Sequence, residues 1–336
     1  MTGGPQRLVI RAPNWLGDAV MALPAMASIR RHIDGALIVA ARPSLAPLFE
    51  EQTDARPDEI LVLDMKREVH QLRAARADAI VVLPNSFGSA WVARRAGIGE
   101  RWGYADSGRS ALLTRAVRRP RRKIHQIEYY RNLVRGFGID VVDGPPRLAV
   151  TEQTSRAAEA LLRDAKVTGG ERLVGFAPGA AYGHAKRWPP DRVARLIAQL
   201  AAAHGVVPVL VGAGDDRVTG REIESSLPAG TRLVNLIGRT TLRTLAGVIA
   251  RCAAFVSNDS GAMHVAAALG TPLTAIFGPT NERVTSPSSH GPVDIILRQV
   301  FCRPCMLHEC PIDHRCMKRI QVEDVAQSVA RHLTIW

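Results

Sequence analysis

Short apolar runs alternate with helix-spaced apolar positions along almost the whole chain, and this alternation limits the fold more than any other feature. Leu8 to Ile10, Leu37 to Ala40, Ile60 to Leu63 and Ala79 to Leu83 read as buried strands. Between the first two, Val20, Leu23, Ala27 and Ile29 to Arg31 fall at helical spacing. Strands apolar on both faces must be covered on both faces, which a parallel sheet with crossover helices achieves. Beyond Pro145-Pro146 the pattern restarts, with Leu173 to Phe176, Val206 to Val211, Ala253 to Val256 and Leu273 to Phe277 as strands. Val193, Leu196, Ile197 and Leu200 then mark a helix, and Gly205 is placed to cap its C-terminus. The expected fold is α/β, with two Rossmann-like doubly wound domains, 1–150 and 151–336, facing each other across a cleft. A chain of 336 residues, 46% of them hydrophobic, is long enough to bury two such cores.

Three strand-to-helix junctions carry polar groups. Asn258-Asp259-Ser260-Gly261-Ala262-Met263-His264 follows one apolar run and opens another. A helix entered through such a turn presents free N–H groups at its positive end, which suits a diphosphate. The alternative is an Asp cap with a helical His beside it. Pro178-Gly179 follows the apolar run Leu173 to Phe176, with Lys186-Arg187-Trp188-Pro189 soon after. Asn14-Trp15-Leu16-Gly17-Asp18 follows the first strand and precedes a helix expected to begin near Ala19.

Together these residues, with Leu83-Pro84-Asn85-Ser86-Phe87 and Arg101-Trp102-Gly103-Tyr104, resemble the lipopolysaccharide heptosyltransferases, GT-B glycosyltransferases that use ADP-heptose. The match runs through nearly the whole chain in the family's order and is strongest to the members that add the second heptose. The resemblance implies an inverting transfer of heptose onto the first heptose of the lipopolysaccharide inner core, heptosyl-Kdo-lipid A. Transferases for the first or third heptose share the donor and are the near alternatives. A basic nucleic-acid-binding α/β protein is the distant one.

The transfer needs a base for the acceptor hydroxyl and stabilisation of the departing diphosphate. Asp18 is the candidate base, by its place at a strand-to-helix turn and by the family's pattern; its other reading is a helix cap. No Asp-x-Asp motif occurs, so a metal–diphosphate clamp lacks its usual ligands and no catalytic cofactor is expected. Lys186 and the amides of Ser260 and Gly261 are expected to serve instead, unless Lys186 is an ordinary surface lysine. Donor contacts are also expected from Gly179, Arg187, Asp259 and His264, with Trp188 stacking as an alternative account of Arg187. Asp216 is expected at the ribose; Gly212 and Gly214 do not complete a dinucleotide fingerprint, because Arg217 holds the third position. The resemblance places Thr240 to Leu242 at the adenine. On the acceptor side stand Asn14, Asn85 and Ser86, the last two equally readable as an Asx turn, and His125 and Tyr129, equally readable as core.

Net charge is +13, and between Arg94 and Arg135 twelve Lys and Arg face three acids. Arg118, Arg119, Arg121 and Arg122 are the densest part. A solvated loop and a nucleic-acid patch are both readings of such charge. Aromatics are scarce, at 5%, and no nucleic-acid module is recognisable, so an anionic lipid surface fits better. No run reaches the roughly eighteen apolar residues of a membrane span, and the N-terminus lacks a signal-peptide layout. The expectation is a cytoplasmic enzyme held peripherally at the inner membrane leaflet.

Cys302, Cys305, Cys310 and Cys316 are separated by two, four and five residues. That spacing permits a structural zinc site, a metal-free thiol loop, or redox or iron–sulfur chemistry. Stable disulfides do not suit a reducing compartment. The loop 302–316 is expected to brace the second domain and Cys252 to lie in the core; for a last helix over about 322–333, the resemblance alone implies a return to the first domain.

Overall fold

The computed structural model describes residues 4–334. The chain divides into two compact units between Ala149 and Val150. The first contains β1 (Arg7–Arg11), β2 (Ala36–Ala41), β3 (Gln52–Thr53), β4 (Glu59–Val62), β5 (Ala79–Val82), β6 (Glu100–Ala105), β7 (Arg115–Arg118) and β8 (Leu148–Ala149). Six of these form one parallel sheet in the order β4-β2-β1-β5-β6-β7, and β3 pairs antiparallel with β8. The second unit contains β9 (Leu173–Ala177), β10 (Val207–Leu210), β11 (Val234–Asn235), β12 (Cys252–Asn258), β13 (Leu273–Phe277) and β14 (Val293–Leu297). They form a second parallel sheet in the order β11-β10-β9-β12-β13-β14.

Each sheet grows outward from its first strand in one direction, then crosses to the other side. That reversal leaves a crevice at the carboxyl ends of the central strands, where doubly wound sheets bind ligands. The reversal lies between β1 and β5 in the first unit and between β9 and β12 in the second.

The predicted apolar runs are the inner strands β1, β2, β5, β9, β10, β12 and β13, together with the edge strand β4. All seven residues of β12 and all five of β9 and of β13 are buried, so each contributes from both faces. Burying a Val or Phe there stabilises by roughly 1.5–3 kcal/mol. β3, β6, β7, β8, β11 and β14 went unread, β14 despite its short run Ile295-Ile296-Leu297. They lie at or near sheet edges, and β7 and β14 are largely half-buried or exposed, so backbone pairing defines them more than side-chain burial.

Helix ends differ from expectation in one useful place. The helix after β1 is Leu16–Met21, not one starting near Ala19, and a second, Leu23–His32, follows with Pro24 in its first turn. Asp18 therefore sits inside a first turn. The last helix, Val322–Leu333, carries a stripe of Val322, Val325, Ala326, Val329 and Leu333. The stripe joins the second unit's own core with Phe176, Trp188, Leu196 and Leu200. Ser328 on the same helix bonds Thr274 of β13 and Asp294 of β14, each at 2.7 Å. The helix's apolar face is seated on the second unit; a return to the first half was implied only by the resemblance. Cys252 is buried as expected, and burial pushes its thiol up to about 12. Among the described residues, no helix is long and apolar enough to cross a membrane.

Candidate functional site

In the second unit, three turns at the carboxyl edge are tied together by side chains that the sequence had singled out. Asn258, the last residue of β12, donates from Nδ2 to the Pro178 carbonyl at 2.6 Å and accepts from the Trp188 amide at 3.3 Å. Asp259 is buried and takes two bonds on Oδ2: the Lys186 ammonium at 2.6 Å and the Thr280 hydroxyl at 2.7 Å. The helix Gly261–Leu269 begins here with Ser260 as its N-cap, so its first amides stand beside a lysine. His264 lies on that helix and is buried. A cation and a helix N-terminus at a sheet reversal form the arrangement that holds a polyanion.

The second cluster lies on the other side of Gly179. Asp216 is buried, accepts from the Ala213 amide at 3.1 Å and pairs with Arg187 at 3.3 Å. Burial raises its carboxyl above the usual range, against the pull of the Ala213 amide and Arg187. A side chain at Gly179 would place its Cβ 2.2 Å from that carboxylate, so only glycine allows the approach. Arg187 is held by Asp216 and by the Thr219 hydroxyl at 3.2 Å, where the alternative account had Trp188 stacking on it. Trp188 is instead a core residue, 1% exposed, with its indole N–H donating to the Ile320 carbonyl at 3.3 Å. Thr240 and Leu242 flank Thr241, which caps the helix Leu242–Ala250, and both are half-buried.

In the first unit, Asn14 and Asp18 stand at the β1 end of the sheet reversal. Asn14 Oδ1 accepts from Arg11 at 3.0 Å, and Arg11 is buried against Glu68 at 2.8 Å. Asp18 Oδ1 accepts from the Tyr130 hydroxyl at 3.4 Å. Burial, then the Asp18 charge, raises the Tyr130 phenol well above its ordinary value, so it stays a donor. Asn85 and Tyr129 meet, with Asn85 Nδ2 donating to the Tyr129 hydroxyl at 2.8 Å. Ser86 and His125 are N-caps, of Phe87–Arg95 and Gln126–Arg135, accepting from the amides of Ser89 and Ile127. Arg118, Arg119, Arg121 and Arg122 are all exposed; Arg119 also pairs with Asp106 at 2.8 Å and lies 5.7 Å from the Tyr129 ring centre.

Besides Thr219 and Thr280, four supporting residues of the first unit escaped the sequence reading. Arg11 and Tyr130 each adjoin a residue that was noticed, Arg11 as a charge ending an apolar run and Tyr130 beside Tyr129. Glu68 and Arg109 gave no signal. Arg109 is fully buried and donates to the carbonyls of Tyr104 and Pro84, bracing the turn before Asn85, and burial lowers its pKa.

Cys302, Cys305 and Cys310 are half-buried and Cys316 is buried. Burial raises the Cys316 thiol, and the other three thiols add to the rise, so the four are electrostatic neighbours. Among the described residues, no three of His, Cys, Asp or Glu stand close enough together to hold a metal ion.

Residues 65–315 match the profile of glycosyltransferase family 9 (heptosyltransferase). The chain is 33% identical over 300 residues to lipooligosaccharide heptosyltransferase 2 of Haemophilus influenzae, covering 84% of this chain and 86% of that one. It is 35% identical over 301 residues to lipopolysaccharide heptosyltransferase 2 of Escherichia coli K12, with the same coverage. The structure of E. coli ADP-heptose LPS heptosyltransferase II superposes with a TM-score of 0.84 at 30% identity, covering 98% of each chain. Both units are thus those of a GT-B glycosyltransferase, and the nucleic-acid reading gives way. The chain belongs to glycosyltransferase family 9, the heptosyltransferases.

Proposed function

We propose that this enzyme transfers L-glycero-D-manno-heptose from ADP-heptose to the first heptose of the lipopolysaccharide inner core, with inversion at the anomeric carbon. The observation that carries the donor half is the Lys186–Asp259 pair beside the N-terminus of Gly261–Leu269. The diphosphate sits against the Ser260 and Gly261 amides, and Lys186 takes up the charge that grows on it as the glycosidic bond breaks. Asp259 aims Lys186, with Thr280 holding the carboxylate. Asp216 receives the ribose hydroxyls, Arg187 and Gly179 complete that wall, His264 lies behind the helix start, and Thr240 and Leu242 border the adenine.

On the first unit, Asp18 removes the acceptor proton, with Tyr130 orienting its carboxylate. Asn14, Asn85 and Tyr129 contact the acceptor sugars; Ser86 and His125 act by capping the helices that carry this surface. The exposed Arg118, Arg119, Arg121 and Arg122 meet the anionic groups of the acceptor glycolipid and the inner leaflet and hold the enzyme peripherally on the cytoplasmic side. Turnover proceeds without a metal cofactor, since Lys186 and backbone amides supply the positive charge. The four cysteines brace the second unit; a tetrahedral zinc would suit four thiolates, but the thiols would have to draw together to bind it.

Transfer of labelled heptose onto defined core acceptors, with and without EDTA, tests the reading. Product on the singly heptosylated acceptor, undiminished by chelation, is expected. Preference for a heptose-free or doubly heptosylated core would make it a first- or third-heptose transferase, and metal-dependent turnover would overturn the mechanism.

A further inference from the structure

The loop 302–316 does more than pack beneath the second unit: it closes around the turn that carries Lys186. The Lys186 ammonium lies 4.7 Å from the centre of the Tyr182 ring. His308 stacks on the same ring, centroid to centroid 3.8 Å with the planes 16° apart. The Tyr182 hydroxyl donates to the Met306 carbonyl at 2.8 Å, and His308 Nδ1 bonds the Tyr182 carbonyl. Between Tyr182 and Lys186, Ala185 gives its amide to the His308 carbonyl at 3.0 Å, while its own carbonyl contacts His314 Nε2 at 2.7 Å. Both backbone groups of Ala185 are therefore spent on the loop. Gly183, at φ +151°, lets the chain pass; a Cβ there would stand 2.4 Å from the His308 carbonyl oxygen.

From this geometry we propose that Tyr182 and His308 are positioning residues for Lys186. A lysine stem has four rotatable bonds, and Asp259 fixes only the charged end, through Oδ2 at 2.6 Å and its backbone carbonyl at 3.4 Å. The aromatic face attracts the ammonium from a second direction, so the cation is held at one place before the donor arrives. His308 keeps the Tyr182 ring flat against the turn, and it comes from the cysteine-bearing loop, so the order of that loop sets the placement of the cation. The inference rests on the reading of Lys186 as the cation for the departing diphosphate.

The test is a double-mutant cycle on steady-state transfer with ADP-heptose varied, each variant first checked by circular dichroism and thermal melting. Tyr182→Leu is expected to lower kcat/KM for the donor roughly five- to twentyfold, the scale of a partly desolvated cation–π contact. Tyr182→Phe, which keeps the ring, should restore the greater part of that loss. His308→Ala removes an exposed side chain, so it should fold even if Tyr182→Leu does not, and should lower kcat/KM in the same direction. Lys186→Gln should be slow by itself, and adding Tyr182→Leu or His308→Ala to it should cost little more. If the losses instead add in full to that of Lys186→Gln, or if His308→Ala and Tyr182→Leu keep wild-type kcat/KM, the positioning role is wrong and the Lys186 reading survives. If Lys186→Gln itself transfers at the wild-type rate, the reading of Lys186 fails and the positioning role falls with it.

Discussion

Asp18 is the residue on which the proposed chemistry turns. It lies in the first turn of Leu16–Met21 with Tyr130 donating to it, an orientation that a carboxamide could imitate without accepting a proton. Asp18→Asn is therefore expected to leave ADP-heptose binding largely intact while lowering turnover by about 10²–10⁴, the range for loss of a general base. Turnover within a few-fold of wild type would take the base role from Asp18. Gly179 makes the complementary point, because its contribution is the absence of a side chain. Gly179→Ala must displace Asp216, whose carboxylate would lie 2.2 Å from the new Cβ. Overpacking of this kind costs about 1–3 kcal/mol. A lower melting temperature together with weakened donor binding is expected in calorimetric titration; unchanged donor affinity would separate Asp216 from the nucleotide.

At the scale of elements, the loop 302–316 holds the widest gap between sequence and structure. Its spacing suggested a thiol or metal site, but a spacing cannot say which turn the loop touches. In the fold it covers the Lys186 turn, and Arg303 donates to the carbonyls of Gly278 and Thr280 and to Glu282. Cys305→Ser is expected to lower the melting temperature, and metal analysis of chelator-free protein would give about one equivalent of zinc if the thiolates close on it. Because Tyr182 leans on this loop, the folded fraction should also lose some donor turnover. Full stability with abolished transfer would move the cysteines from bracing into the chemistry. The helix at the chain's end is the second case. Its stripe of Val322, Val325 and Val329 was readable as amphipathic, yet periodicity names the buried face without naming what buries it.

On the scale of the whole molecule, charge adds a term that no single contact carries. Neutralising Arg118, Arg119, Arg121 and Arg122 together should weaken binding to anionic vesicles and slow transfer to lipid-linked acceptor. The difference from wild type should shrink as salt rises and shortens the Debye length to a few ångströms. Equal vesicle binding and equal transfer in the variant would return the segment to a solvated loop. The central strands, the restart after Pro145-Pro146 and the polar turns at Asn14–Asp18, Gly179 and Asn258–His264 were legible because burial on two faces and helix entry leave local marks. Most of the residues proposed for the chemistry lie in those turns. What the sequence by itself determined is thus the parallel α/β class and the positions where polar groups interrupt it. The pairing of Lys186 with Asp259, of Arg187 with Asp216, of Tyr130 with Asp18 and of His308 with Tyr182 was decided only in the folded chain. Those partners lie between 29 and 126 residues apart, and nothing local records which distant turn a sheet reversal will bring alongside.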